Sequence, residues 1–145
     1  MKKGNPMLKK INHIAIAVNN IEEAASFYQT VLGLKLSELE VVTAQKTKVG
    51  FLKIGESNIE LVQPAEQDSP LVKFLETKGQ GIHHICFEVD DVESEVKAFI
   101  EKGAILIDRK PRSGAHNTKV AFVHPKSSSG VLIELCELPK DHQII

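Results

Sequence analysis

Charge of neither sign is in excess in this chain: 18 lysines and arginines stand against 19 aspartates and glutamates, for a net charge of −1. That balance excludes the basic footprint by which proteins grip nucleic acid, and there is no acidic tail. No apolar run approaches the ~20 residues of a membrane span, and the lysine-bearing start MKKGNPMLKK leads into no apolar stretch of signal-peptide length. A cytoplasmic protein without membrane contact is the expectation. Cysteine is confined to Cys86 and Cys136, each inside an apolar run. Two such residues make no disulfide framework and predict buried free thiols, with a metal-ligand role for either as the alternative. No Gly-rich phosphate loop or dinucleotide fingerprint occurs, so nucleotide and redox-cofactor chemistry lack their usual signatures.

What is present is an echo. The stretch INHIAIAVNN at Ile11 to Asn20 returns as IHHICFEVDD at Ile82 to Asp91, with His84 on His13 at an offset of 71 residues. The same register pairs Ile82 with Ile11, Ile85 with Ile14 and Val89 with Val18. Each copy also closes alike: Asn58-Ile59-Glu60-Leu61-Val62 is matched by Leu132-Ile133-Glu134-Leu135-Cys136, at an offset of 74. Copies of about 70 residues would each be marginal alone, so two half-size modules sharing one core are expected.

Residues 1–10 read as a loose lead-in. From Ile11 the pattern alternates, with His13, Ala15 and Ala17 on one face and Ile14, Ile16 and Val18 on the other. Asn20 caps a helix, with Glu23 three places on; Ile21, Ala24, Ala25, Tyr28, Val31 and Leu32 form its inward stripe and Gly33 its stop. Strand-like runs follow at Leu34 to Val42, Val49 to Ile54 and Ile59 to Gln63, with a tight turn at Gly55-Glu56-Ser57. This is a βαβββ module over 11–64. The connector, 65–80, carries a short helix punctuated by Ser69, Pro70 and Gly79. The second module, 81–139, repeats the plan. A strand from Ile82 to Val89 leads to a helix opened by Asp90 or Asp91, lined by Val92, Val96, Phe99 and Ile100 and stopped at Gly103. Runs at Ala104 to Ile107, Lys119 to Val123 and Val131 to Cys136 complete it. The loops Arg109 to Asn117 and His124 to Gly130 are long enough to carry function. The fold class expected is α+β: two βαβββ modules related by duplication and forming a shared metal cleft.

Strand parity places His13 and Glu60, and likewise His84 and Glu134, on the faces away from the helices. A lone His in a strand is more often a hydrogen-bonded core residue, and a lone Glu an edge residue. Matching pairs in two modules favour a site of two imidazoles and two carboxylates, the donor set of a borderline or hard divalent ion such as Zn²⁺, Co²⁺, Mn²⁺ or Ni²⁺. His83, His116, His124 and His142 have no twin and are expected at the surface or in loops. Lys119 and Lys126, near the Ser-rich turn, are candidates for holding anionic groups, with a solvated loop as the competing reading.

These residues carry a resemblance. IELVQPAEQDSPLVKFL, GIHHICFEVDDV, SGAH at Ser113 to His116 and HPKSSSGVLIEL at His124 to Leu135 are similar to the vicinal oxygen chelate (glyoxalase-like) superfamily, and within it to the methylmalonyl-CoA epimerase family, from about Ile11 to Pro139. The resemblance implies His13, Glu60, His84 and Glu134 as ligands of one divalent ion, and an isomerase that interconverts (2R)- and (2S)-methylmalonyl-CoA by 1,1-proton transfer through a stabilised enolate. It implies Glu134 as a candidate catalytic base, a CoA thioester as partner, a homodimer, and His116, Lys119 and Lys126 as candidate substrate contacts. Many relatives have Gln in place of Glu60. A relative also has a glutamate in the third strand of the first module, where this chain has no acid between Thr47 and Lys53. The alternative is a glyoxalase I-type isomerase (lactoylglutathione lyase) or another metal-dependent enzyme of the superfamily. A non-catalytic binding protein would have no reason to keep four such residues, and an extradiol dioxygenase would use two His and one Glu on Fe²⁺.

Overall fold

Alternating apolar residues and well-placed caps decide the local structure, seen in a computed structural model that describes residues 8–140. The chain divides between Asn12 and His13 and again between His84 and Ile85 into two compact units. The first unit, His13–His84, holds most of β1 (Lys10–Ala17), then α1 (Ile21–Thr30), β2 (Glu40–Val42), β3 (Thr47–Ile54), β4 (Ser57–Pro64), α2 (Pro70–Lys78) and the start of β5 (Gly81–Glu88). Its strands run in the order β2-β3-β4-β1, antiparallel except for the parallel pair of β4 and β1. The second unit holds the rest of β5, then α3 (Val92–Glu101), β6 (Arg112–Ser113), β7 (Lys119–Val123) and β8 (Ile133–Glu137), ordered β5-β8-β7-β6 with only β5 and β8 parallel.

Each helix starts where its cap predicts. Asn20 Oδ1 accepts from the Glu23 N–H at 2.9 Å, Ser69 Oγ from Leu71 at 3.2 Å, and Asp91 Oδ1 from Ser94 at 3.2 Å. The choice left open between Asp90 and Asp91 falls on Asp91. A second device repeats with the duplication. Gln63 Oε1 accepts the N–H of Ile21 at 3.0 Å, and Glu137 Oε1 accepts that of Val92 at 3.0 Å, so the last strand of each module caps the first residue of its helix.

The cores form on the helix faces. Val18, Ile21, Ala25, Leu52 and Leu61 are buried with Ile16, Tyr28, Leu34, Leu36, Leu39 and Ile59 around them. Val89, Val92, Val96, Ala121 and Leu135 do the same in the second unit, with Phe87, Phe99, Ile100, Leu106 and Ile133. A fully buried leucine such as Leu52 or Leu61 contributes roughly 1.5–3 kcal/mol.

Five expectations need correction. Leu34 to Val42 is not one strand: only Glu40–Val42 pairs continuously, with an isolated bridge from Leu36 to Leu52. Leu34, Leu36 and Leu39 instead cover α1, and Leu36 and Leu39 do so directly over Gly50. Ala104 to Ile107 is likewise reduced to a bridge from Leu106 to Val123, because the Ile105 N–H turns to Ser127 Oγ at 2.7 Å. The loop read at Arg109 to Asn117 contains the short strand β6. Val31 and Leu32 lie beyond the end of α1 and are exposed rather than inward. The lead-in is not loose at its end, where the Lys9 N–H donates to the Glu88 carbonyl at 2.8 Å and Lys9 Nζ lies 3.0 Å from Asp90.

Candidate metal centre and active site

Register places the first set of polar groups. Ala15 of β1 and Phe51 of β3 are the Cα partners of Glu60, while His13 faces Asn58 and Val49 faces both Val62 and Glu40. Directly paired residues project to the same side of a sheet. His13, Glu60 and Glu40 therefore share the face opposite α1, and the small side chains of Ala15 and Ala17, both fully buried, leave room beside His13. His13 and His84 are 6% and 7% exposed and Glu60 is 7% exposed.

These three meet within the first unit. His13 Nδ1 lies 3.0 Å from Glu60 Oε2, and His13 Nε2 lies 3.3 Å from His84 Nε2, with the two rings edge to face at 76°. The donor set fits a divalent ion: bonds of ~2.0–2.1 Å from two imidazole nitrogens at a tetrahedral angle put those nitrogens about 3.3 Å apart. Glu60, beside His13 Nδ1, is the carboxylate of this set. His83 is not the surface residue expected from its lack of a twin. It is half-buried, its Nδ1 is 2.9 Å from His84 Nδ1, and its ring packs edge to face on Phe74 of α2 at 4.8 Å.

In the second unit Glu134 is 5% exposed on β8, with Cys86 of β5 and Phe122 of β7 as its Cα partners. Cys86 and Cys136 are buried free thiols packed with Val120. The same face carries Glu88, buried, which accepts from Asn12 Nδ2 at 3.2 Å and has Lys9 and Lys10 each 4.0 Å away. Arg112, the partner of Val120, also belongs to this face; its guanidinium covers the Phe122 ring at 5.5 Å and its Nε meets Asp108 at 3.2 Å.

The candidate substrate contacts are all exposed. Lys119 is exposed and pairs with Glu137, which puts it on the helix-side face of β7, opposite to that of Glu134. Its charge helps hold the Asp91 carboxyl below its usual range, after the larger effect of the Ser94 N–H. His116 is exposed in a 3₁₀ turn with left-handed backbone at φ 55°. Lys126 is exposed, and its N–H donates to Nδ1 of the half-buried His124 at 3.0 Å. His142 lies outside the described residues.

Sequence reading missed Glu40 and Arg112 as well as His83. Of Val49 and Gly50, nearest the place of a relative's acid, Val49 lies on the face of Glu60, while Gly50 faces α1 with no space for a side chain: a Cβ there would stand 2.9 Å from Leu36 Cδ1 and 3.1 Å from Ile21 Cγ2. Glu40 and Glu60 are the carboxylates that β2, β3 and β4 do supply, and both lie on the face of His13. The alternation of Glu40 with Val41 and Val42 was the available signal, but its partner strand was not.

Residues 12–122 match the model of the glyoxalase/bleomycin resistance protein/dioxygenase superfamily. The chain is 45% identical over 136 residues to the uncharacterised protein YqjC of Bacillus subtilis, covering 94% of this chain and 96% of that one. It is 40% identical over 129 residues to the mitochondrial methylmalonyl-CoA epimerase of Homo sapiens, covering 88% and 73%. A solved methylmalonyl-CoA epimerase in complex with methylmalonyl-CoA and NH4+ superposes with a TM-score of 0.86 at 33% identity, over 90% of this chain and 95% of that one. The α+β fold expected from the duplication is thus the glyoxalase fold of those structures, and the chain belongs to the methylmalonyl-CoA epimerase family of isomerases within that superfamily.

Proposed function

We propose that this protein interconverts the (2R) and (2S) epimers of methylmalonyl-CoA, with His13, Glu60, His84 and Glu134 holding one divalent ion. The observation that carries the reading is the buried contact of His13 with both His84 and Glu60, in a chain of this family. A divalent ion held there supplies Lewis-acid stabilisation of the charge that develops when C2 loses its proton. Zn²⁺, Co²⁺, Mn²⁺ and Ni²⁺ all suit the donors.

The chain's own work is to move that proton. C2 lies between a thioester and a carboxylate, so it is already acidified, and inversion requires proton carriers on both of its faces. Glu134, buried on its strand, is the carrier on one side. Glu40, half-buried on the same sheet face as Glu60, takes the place of the acid that β3 lacks and serves the other. Burial of the His13, Glu60 and His84 side chains keeps bulk water from competing for their hydrogen bonds. A homodimer in the cytoplasm goes with this reading, and sedimentation of the purified protein tests the dimer.

The test is a coupled assay of purified protein on (2R)-methylmalonyl-CoA, without nucleotide or oxidant, beside an assay on methylglyoxal with glutathione. Turnover of the CoA thioester is the expected result. Turnover of the hemithioacetal alone would make the protein a glyoxalase I-type isomerase.

A further inference from the structure

The sheet face of the second unit that carries Glu134 has buried carboxylates and little positive charge of its own. Glu88 and Glu134 are both buried on it, and Glu88 already has Lys9 and Lys10 beside it at 4.0 Å each. A substrate that brings a carboxylate of its own to Glu134 meets repulsion there unless a cation stands by. Strands β5, β6, β7 and β8 hold only two lysines or arginines, Lys119 and Arg112, and register turns Lys119 to the helix side. Arg112 alone projects from these strands onto the face of Glu134. Its Nε lies 3.2 Å from Asp108 Oδ1, and Oδ2 of the same carboxylate accepts the Phe122 N–H at 2.9 Å, so Asp108 ties the guanidinium to β7. The buried Phe122 ring lies under the guanidinium at 5.5 Å. Beyond Asp108 and Phe122 the Arg112 side chain has no partner among the described residues, and it is 39% exposed. A guanidinium stacked on a ring and met at Nε keeps its terminal pair of N–H-bearing nitrogens for a planar anion, which a carboxylate matches with both oxygens. Phe122 is also the Cα partner of Glu134, so this charge stands over the strand next to the proton carrier, about 5 Å away in backbone spacing.

We infer that Arg112 recognises the free carboxylate of the substrate and thereby selects acyl-CoA thioesters that carry an acid on C2. This rests on the activity proposed above. The phosphates of CoA are the other anions of such a molecule, but the whole pantetheine arm separates them from C2, whereas the carboxylate is bonded to it. A cation one strand from Glu134 matches the nearer anion. Arg112 moves no proton; it fixes the acid end of the substrate so that C2 is presented to Glu134. Asp108 and Phe122 serve by holding the guanidinium in place, which lowers the conformational entropy lost when the anion binds.

The experiment titrates purified protein calorimetrically with methylmalonyl-CoA and with propionyl-CoA, the same thioester without the carboxylate. Arg112→Met keeps an apolar stem over Phe122 and removes the charge. It should weaken binding of methylmalonyl-CoA by about 10–100-fold, the range for losing hydrogen bonds to a charged group, and leave propionyl-CoA within a few-fold of wild type. Arg112→Lys, which keeps the charge without the fork, should fall between. Equal weakening of both ligands would assign Arg112 to the phosphates or to the fold, and unchanged binding of both would assign it to neither; each result overturns the inference. A second measurement needs no variant: methylmalonyl-CoA, and not propionyl-CoA, should protect Arg112 of the wild-type protein from phenylglyoxal, read by peptide mass spectrometry. Equal modification under both ligands overturns the inference even if Arg112→Met does not fold. Wild-type protein that epimerises methylmalonyl-CoA while Arg112→Met keeps the full preference for it removes this inference alone. Wild-type protein that neither binds nor turns over methylmalonyl-CoA removes the proposed activity with it.

Discussion

The Nε2 atoms of His13 and His84, residues 71 apart in the chain, stand 3.3 Å from each other in a buried site. Two imidazole nitrogens at this separation are spaced as two ligands of one ion are. Purified protein should therefore carry about one divalent ion per chain, held by both rings as ligands of a shared centre. His13→Ala and His84→Ala should each lower that occupancy. Elemental analysis checks this, and full occupancy in both variants would leave the two histidines as a structural pair.

The carboxylates of the two modules should differ in kind. Glu60 is a ligand in the proposed reading, and Glu60→Gln keeps its size and a ligating oxygen, so it should retain much of the activity. Glu134→Gln removes a proton carrier, and kcat should fall ~10²–10⁴-fold. The comparison is made at matched metal content. The reverse ranking would move the base to Glu60.

Glu40 sits on β2 with Val49 as its partner, on the sheet face that carries Glu60. Glu40→Gln should slow exchange of the C2 proton with deuterated water on one epimer more than on the other. Glu38→Gln, at an exposed position just before the strand, should change neither rate. Equal, unaltered exchange from both epimers with Glu40→Gln would remove Glu40 from the reaction.

A stability effect is expected in α3. Burial pushes the Glu95 carboxyl above its usual range, against a smaller opposing pull from Lys102, and its Oε1 has no hydrogen-bond partner among the described residues. A carboxyl whose folded value is raised costs nothing while it is protonated in both states, and destabilises the fold as pH rises past its unfolded value. Glu95→Gln should accordingly match wild type in Tm near pH 4 and exceed it at pH 7. Thermal melts at the two pH values measure the gap, and a gap that narrowed with rising pH would contradict this account.

Gly50 lies under Leu36, Leu39 and Ile21, with no space for a Cβ. Gly50→Ala should destabilise by roughly 1–3 kcal/mol, the range for overpacking a filled core. Denaturant unfolding reads this directly, and an unchanged midpoint would mean that the Leu36 to Leu39 segment shifts freely.

The duplication, the caps and the parity of each strand were already contained in the order of residues. Asn20, Ser69 and Asp91 cap helices because their short polar side chains reach N–H groups two or three places on, an interaction entirely local in the chain. The placing of His13 and Glu60 on one sheet face was legible for a similar reason: a period of two tells which side a residue takes. Parity carries no distances. Whether Leu34 to Val42 forms a strand depended on Gly50 leaving room for leucines above it, and whether Glu40 shares a face with Glu60 depended on the registers of two strand pairs. His83 shows the limit most clearly. Alternation sends it away from His84, yet its Nδ1 finds that neighbour's Nδ1 at 2.9 Å, with Phe74 from the connector helix against its ring. Contacts between side chains brought together from distant parts of the chain are set by packing, and only the folded structure contains them.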